Sequence, residues 1–396
     1  MNLISIASAL EKIISEVNIG EVVSQQLIDS NNNYLAETII SPIDLPGFNN
    51  SAMDGYVFRM EDYENGTRNF IQTLEVKAGD VIPTELLKNQ CYRIFTGAPV
   101  PANGTLVIMQ EHIKNAGDQI TIEEEGSAFF QNIRSQGEQI KKGEIALQKG
   151  EKLTPAAIGY LASLGLSKVK TYTKPKVSIL TTGNELIEAG KPLESGKIYE
   201  SNAIALASAF RNEGVQPSII SGIPDNYSAT LIAIEEQIQK NDFIVLTGGI
   251  SVGDYDFVGK ALDELKVETL FYKVNQKPGK PFFFGKKGYC SIFALPGNPA
   301  AAMTCFYYYL RPAIQKFVGA RYPKIRPLRL PLSSSFQVKG SRELLLKSKI
   351  ENGKIEILDG QSSNMMHTFA LANAITQIPA DKKQYEAGEL VSVFPF

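Results

Sequence analysis

The chain has 396 residues with a formal net charge of -2, and 43% of its residues are hydrophobic. That length exceeds one hydrophobic core, so two to four domains are expected. The charge balance gives no global reason to bind nucleic acid or an anionic membrane, so any bound anion must be held by local design.

The N-terminus meets Glu11 and Lys12 at once and has no basic n-region. It reads as an amphipathic helix rather than a signal peptide, with Ile6, Ala9, Leu10, Ile13 and Ile14 at helical spacing. The helical pattern extends over the first forty residues and is broken by Asn31-Asn32-Asn33. From Ser41 to about Ile133 the texture is short β-like runs, Ile71–Lys77, Tyr92–Phe95, Thr105–Gln110 and Gln119–Glu123, with turns rich in Gly, Asn and Pro. Thr154–Ser163 is a further helix, with Thr154 at the N-cap and Pro155 at the first helical position.

After Lys174-Pro175 strands and helices alternate. Strands are expected at Val177–Thr181, Ser218–Ile223, Phe243–Thr247, Thr269–Val274 and Ser291–Ala294, and helices at Ser201–Asn212, Ala229–Lys240, Phe257–Leu265 and Ala300–Leu310. This pattern predicts a right-handed, mostly parallel, doubly wound sheet. Beyond Pro323, the runs Leu328–Leu332, Glu343–Ile350, Lys354–Leu358, Ala374–Ile378 and Val391–Phe394 predict a small β-barrel or sandwich. The longest apolar run, Ala300–Leu310, is shorter than the about 20 residues a bilayer span needs, so a soluble protein is expected.

Ligands of open parallel sheets sit beyond the carboxyl ends of the strands. There the chain places Thr182-Gly183-Asn184-Glu185, then Pro224-Asp225-Asn226, then the loop from Gly248 and Gly249 through Ser251 to Asp256. Glu185, Asp225 and Asp256 thus converge on one rim, with glycines that let backbone amides approach an anion. One such acid alone fits a helix cap; three at successive strand ends suit a Mg²⁺ held partly by a substrate phosphate. Lys273 and the proline-stiffened Lys277-Pro278-Gly279-Lys280-Pro281 point at the same rim, as does Asn298-Pro299, where a strand gives way to a helix. Paired lysines beside a helix N-terminus suit an oxoanion.

Other chemistries fare poorly. With two histidines, His112 and His367, a Ser-His-Asp hydrolase or a His-based zinc site is not expected. Cys91, Cys290 and Cys305 form no CxxC pair and read as buried small hydrophobes in a reducing compartment. Neither a Walker loop nor a GxGxxG fingerprint occurs.

Six strings together resemble one family: Asn50-Ser51-Ala52-Met53-Asp54-Gly55-Tyr56, Thr96-Gly97-Ala98-Pro99-Val100-Pro101, Thr182-Gly183-Asn184-Glu185-Leu186, the loop Gly248 to Asp256, Lys277-Pro278-Gly279-Lys280-Pro281, and Leu295-Pro296-Gly297-Asn298-Pro299. The chain is similar to the molybdopterin molybdenumtransferases, a family that includes the E-domain of gephyrin-like proteins. The resemblance implies the last step of molybdenum cofactor synthesis: adenylylated molybdopterin is hydrolysed with Mg²⁺, AMP is released, and molybdate enters the dithiolene. It implies that Glu185, Asp225 and Asp256 serve Mg²⁺ and nucleotide, that Gly248, Gly249, Ser251, Pro281 and Asn298 line the substrate site, and that Lys273, Lys277 and Lys280 attract pterin phosphate or molybdate. Asp54 and Thr96 would reach the site across a homodimer interface, and Arg342, Ser363 and Thr368 would add oxoanion contacts.

The implied architecture is multidomain α/β plus β: a helical or linker domain over residues 1–41 plus 135–174, a β-rich domain over 42–134, an α/β molybdopterin-binding domain over 175–322 and a C-terminal β-barrel domain over 323–396. A cytoplasmic location follows, with an adenylyltransferase and a molybdoenzyme chaperone as further partners and no nucleic acid or membrane. Two departures stand out. Gln139 replaces an acid in Arg134-Ser135-Gln136-Gly137-Glu138-Gln139, and Ala301 stands where a hydroxyl is common. A scaffold or catalytically reduced paralogue, or a molybdopterin adenylyltransferase, are the competing readings; the three rim acids argue against the first, and the flanking domains against the second.

Overall fold

A computed structural model describes residues 3–249, 257–323 and 326–396. Its centre is a six-stranded sheet in the order Ser218–Ile223, Val177–Thr182, Phe243–Thr247, Cys290–Leu295, Pro281–Lys287, Glu268–Lys273. The first four strands are parallel, and Pro281–Lys287 runs antiparallel to both of its neighbours. The expected alternation of strand and helix is therefore present, with one strand, Pro281–Lys287, that the pattern did not reveal.

Successive residues along the central strands feed opposite faces, as the pleat requires. Ile179, Val245 and Phe293 join one core, packed by Phe210, Phe306 and Phe317; Leu180, Ile244, Leu246 and Ile292 join the other, packed by Ile234, Val258 and Leu262. Both faces are covered, so Val177–Thr182 is buried along its whole length. The sheet is doubly wound.

The N-terminal helix Ile6–Glu16 packs in the first of these cores. Ser5 caps it by accepting from the Ser8 amide at 3.1 Å, and Ile6, Ala9 and Ile13 are its buried stripe. The helical reading of the first forty residues holds only this far. Val22–Gln26 is a strand, antiparallel to Lys168–Tyr172, where β-branched Val22 and Val23 suit an extended pleated surface. Between helix and strand, Gly20 passes so close to Phe317 that a Cβ there would lie 2.6 Å from its ring. Thr154 caps Pro155–Ser163 by accepting from the Ala157 amide at 3.2 Å, as expected.

Two further six-stranded sheets flank the centre. One orders Leu106–Met109, Gly55–Phe58, Gln90–Ile94, Asn69–Val76, Gln119–Ile122 and Ile113–Ala116. The other orders Gln276–Lys277, Glu343–Glu351, Ala374–Ile378, Leu390–Pro395 and Leu328–Pro331, with Lys354–Ile357 added to Glu343–Glu351. Its edges meet: Leu332 bridges Ile355, and the Ser333 amide donates to the Ile355 carbonyl at 2.8 Å. The sheet closes into the expected barrel. Because Gln276–Lys277 pairs with Glu343–Leu344, the lysine turn is built into this barrel's edge.

The three cysteines are free and buried, and burial pushes each thiol up to about 12. Among the described residues, no helix is long and apolar enough to cross a membrane.

Candidate active site

A cleft of about 700 Å³ lies at the carboxyl ends of the parallel strands. Its floor is made by Thr181, Thr182 and Thr247 together with Gly248, Gly249 and Gly297. Glycine is required here. Gly248 and Gly249 have φ of 91° and 64°, and their Cβ atoms would lie 2.5 Å from the Thr182 carbonyl oxygen and 2.9 Å from its hydroxyl. The strand end can therefore approach a ligand with bare backbone.

Polar groups on this floor have no protein partner among the described residues. The Thr181 and Thr182 hydroxyls and the Asn202 Oδ1 are buried and make no hydrogen bond to any of these. Such groups are rare in folded proteins and destabilise by about 1–3 kcal/mol each when nothing meets them. Their clustering at one cleft points to a polar ligand. The Asn202 Nδ2 is engaged, donating to Thr247 Oγ1 and to the Gly297 carbonyl, both at 2.8 Å, and so ties two strand ends together.

Of the three acids expected at the rim, Glu185 lines the cleft. Asp225 stands beside it without lining it: its Oδ2 accepts from the Asn184 amide at 3.0 Å, while its own amide donates to Asn184 Oδ1 at 3.2 Å. This reciprocal clamp fixes Glu185's loop against the neighbouring strand end. Asp256 and Ser251 lie outside the described residues. Among the described residues no three His, Cys, Asp or Glu side chains gather at metal-binding distance. The donors on the floor and rim are nevertheless all oxygens, the set a hard divalent cation such as Mg²⁺ takes when a phosphate completes its shell.

Sequence reasoning missed Glu200, Ser201 and Asn202, which line the same cleft. Glu200 is buried and caps the helix Asn202–Asn212, its Oε1 accepting from the Ala203 amide at 2.8 Å, whereas the Ser201 side chain makes no cap bond. A Glu-Ser-Asn string opening the helix after the rim loop was the available signal.

The lysines sit outside the floor. Lys277 and Lys280 are exposed on a turn with a cis Lys277-Pro278 bond and Gly279 at φ 83°, and Pro281 is the turn residue that lines the cleft. Half-buried Lys273 rests 5.6 Å from the Tyr272 ring centre. Buried Gln276 braces the turn, donating to the Gly279 carbonyl at 3.1 Å and accepting from the Tyr309 hydroxyl. Arg342 donates to the Gln276 carbonyl at 3.2 Å, so it braces the lysine turn from the barrel.

The barrel closes one wall. Asn364 lines the cleft, and Ser363 is latched twice: its Oγ meets Asn298 Nδ2 at 2.9 Å, and its carbonyl accepts from the Ala301 amide at 3.2 Å. Asn298 does occupy the N-cap position, but its side chain makes no cap bond and reaches Ser363 instead. Thr368 is buried above Gly360, and its hydroxyl donates to the Asp359 carbonyl at 3.1 Å.

Asp54 and Thr96 form a separate unit on the Gly55–Phe58 sheet and do not line this cleft. The Thr96 amide and hydroxyl both donate to Asp54 Oδ1 at 2.8 Å. These bonds, with the nearby Arg93, hold the Asp54 carboxyl below its ordinary range.

Comparison with known proteins agrees with this architecture. Residues 4–165 match the MoeA N-terminal region (domain I and II), residues 178–316 a probable molybdopterin binding domain, and residues 329–396 the MoeA C-terminal region (domain IV). A protein of Haemophilus influenzae named molybdopterin molybdenumtransferase is 36% identical over 390 residues, covering 93% of each chain. A Staphylococcus epidermidis protein of the same name is 32% identical over 404 residues, covering 98% of this chain and 95% of the relative. The crystal structure of a molybdopterin biosynthesis moeA protein from Pyrococcus horikoshii OT3 superposes with a TM-score of 0.87 at 30% identity, covering 100% of both chains.

Proposed function

This chain belongs to the molybdopterin molybdenumtransferase family of molybdenum cofactor biosynthesis, and on that premise we propose that it hydrolyses adenylylated molybdopterin, releases AMP and transfers molybdate to the dithiolene. The observation that carries this reading is the cleft floor: bare glycine backbone beside hydroxyls that have no partner among the described residues. Such a surface recognises a phosphoanhydride through N–H and O–H donors at close approach.

The residues divide the work. Gly248 and Gly249 bring backbone against the phosphates, and Thr181 and Thr182 offer hydroxyl donors to the same oxygens. Glu185 and Asp225, with Asp256, would hold Mg²⁺. When bound, the ion neutralises phosphate charge as the phosphoanhydride is cleaved and AMP departs. Asn202 fixes the separation of the two strand ends that face the nucleotide. Lys273, Lys277 and Lys280 concentrate anionic substrate at the mouth, Arg342 holds their turn in place, and Asn298 and Ser363 form the oxoanion wall with Pro281 beside it.

A homodimer completes the site in this reading. Val22, Val23, Ile28, Ile40 and Ile145 are large apolar side chains left exposed on the segments around the Val22–Gln26 ribbon, and a second copy would cover them. The rigid Asp54–Thr96 unit would then enter the partner's cleft. Three buried thiols suit the cytoplasm, and an adenylyltransferase supplying substrate and a molybdoenzyme chaperone receiving product would be its protein partners.

The direct test incubates the protein with adenylylated molybdopterin, Mg²⁺ and molybdate. AMP release together with cofactor able to reconstitute an apo-molybdoenzyme is expected. If neither appears, the reading fails.

A further inference from the structure

The cleft wall formed by the barrel is a short loop, residues 359–365, and its outward neighbours are Asn298, Ala301 and the cleft itself. What holds it from behind is Lys347. This residue lies on the strand Glu343–Glu351 and is 2% exposed. Its ammonium forms no ion pair among the described residues. It donates instead to three carbonyls of the loop: Gly360 at 2.8 Å, Ser362 at 3.1 Å and Met365 at 3.1 Å.

Three acceptors use all three donors of an ammonium. The backbone of the same residue grips the loop a second time. The Lys347 amide donates to Gln361 Oε1 at 3.0 Å, and Gln361 Nε2 donates to the Lys347 carbonyl at 2.8 Å and to Leu358 at 2.6 Å. Burying an ammonium without a counter-ion is costly, and an apolar side chain would hold an ordinary surface loop at lower cost. The cage of carbonyls has a specific geometric result: Ser363, between two of the caged residues, is turned outward onto Asn298 and Ala301, and Asn364 onto the cleft.

We infer that Lys347 is a positioning residue of this enzyme, its ammonium gathering the loop carbonyls so that Ser363 and Asn364 present a fixed wall to the oxoanion substrate. The identity of that ligand rests on the function proposed above; the positioning does not. Lys347 touches no substrate and acts through Ser363. Burial holds its pKa below the ordinary lysine range.

Two variants and two readouts test this. Lys347→Met keeps the stem and removes the donors, while Lys347→Arg keeps donors and charge. In steady-state AMP release, Lys347→Met should raise KM for molybdate about tenfold or more with kcat within about threefold, and Lys347→Arg should recover most of that loss. In a double-mutant cycle, Lys347→Met and Ser363→Ala should be non-additive, because the first acts through the second. Hydrogen exchange needs no turnover: amides of residues 359–365 and of Ala301 should exchange faster in Lys347→Met and be restored in Lys347→Arg.

An unchanged KM for molybdate, or additive effects in the cycle, overturns the inference. If the unaltered protein releases no AMP, the proposed function has failed and exchange alone judges Lys347, with unchanged protection of residues 359–365 and Ala301 refuting it. Should Lys347→Met not fold, Gln361→Ala loosens the same loop from its other side and is held to the same readouts.

Discussion

Two clefts of similar size occupy opposite ends of the central sheet. One, of about 700 Å³, lies at the carboxyl ends of the parallel strands; the other, of about 640 Å³, lies at their amino ends, between the Asn18–Glu21 segment, Lys174, Lys176, Lys240 and Tyr289. The amino-end cleft carries more positive charge, with Lys287 added to those lysines. By charge alone it would be the better anion site. Its backbone, however, is already spoken for. Lys176 N donates to Asp242 Oδ2, Gly20 N to the Phe317 carbonyl and Asn18 Nδ2 to the Tyr289 carbonyl, while Lys287 Nζ is held by the Leu265 carbonyl. The carboxyl-end cleft has fewer cations at its floor, but among the described residues its hydroxyls have no partner and no side chain covers its glycine backbone. Unsatisfied directional groups identify a site better than volume or charge.

The largest effect should come from filling the bare backbone. Gly248→Val places a β-branched residue at φ 91° and its Cβ on the Thr182 carbonyl, so AMP release should fall below detection. The left-handed backbone alone disfavours such a residue by about 1–2 kcal/mol, so a drop in Tm should accompany the loss. Activity near that of the unaltered protein would remove the glycine floor from the site. Glu185→Gln comes next. It keeps the side chain's shape and removes one anionic oxygen donor to a hard cation, so AMP release should fall about 100-fold and more Mg²⁺ should be needed for half-maximal rate. An unaltered Mg²⁺ requirement would place the metal elsewhere.

A third effect is read by titration. Thr96 donates twice to Asp54 and lowers its pKa, with the backbone amide the larger cause and the hydroxyl second. Thr96→Val removes the hydroxyl donor and keeps the amide, so the Asp54 pKa followed by NMR should rise part of the way to the ordinary carboxylate value. The sign for stability follows. A carboxyl titrating lower in the folded than in the unfolded state contributes stability that is complete above the unfolded pKa and is lost as pH falls through the folded one. Thr96→Val should therefore lower stability at neutral pH and leave it unchanged below the folded pKa, where the carboxyl is protonated in both states. A pKa that does not move would mean the hydroxyl contributes nothing.

How far the chain could be read without coordinates follows the same divide between local and distant causes. The alternation from Val177 to Leu310, the Thr154 cap and the glycine turns at Thr182–Gly183 and Gly248–Gly249 are local signals, and each appears where its spacing placed it. Pro281–Lys287 was hidden because its antiparallel place depends on Glu268–Lys273 and Cys290–Leu295 meeting it from both sides. Val22–Gln26 read as helix because its partner, Lys168–Tyr172, lies far along the chain. Glu200 has only the Glu-Ser-Asn string as a local signal, and the fold shows it buried as a cap. Lys347 is the extreme case: a lysine in a β-like run gives no local hint that its ammonium will be wrapped in carbonyls of residues 360–365.

The smallest expected effect tests the comparison from its other end. Lys176 and Lys240 line the amino-end cleft, and neither side chain braces the sheet: it is the Lys176 amide, not its ammonium, that meets Asp242. Replacing both by Gln removes two charges from that cleft while leaving the backbone bonds in place. Substrate that bound there through charge would lose affinity, and the loss would grow as ionic strength is lowered, since exposed charges are screened within about 10 Å at 0.1 M salt. If substrate binds at the carboxyl end, kcat/KM for AMP release should stay within about twofold at every ionic strength, because isolated surface charges far from a reacting centre act only weakly. A larger, salt-dependent fall would mean that charge, not the glycine backbone and hydroxyl groups of the carboxyl-end cleft, directs the anion in this fold.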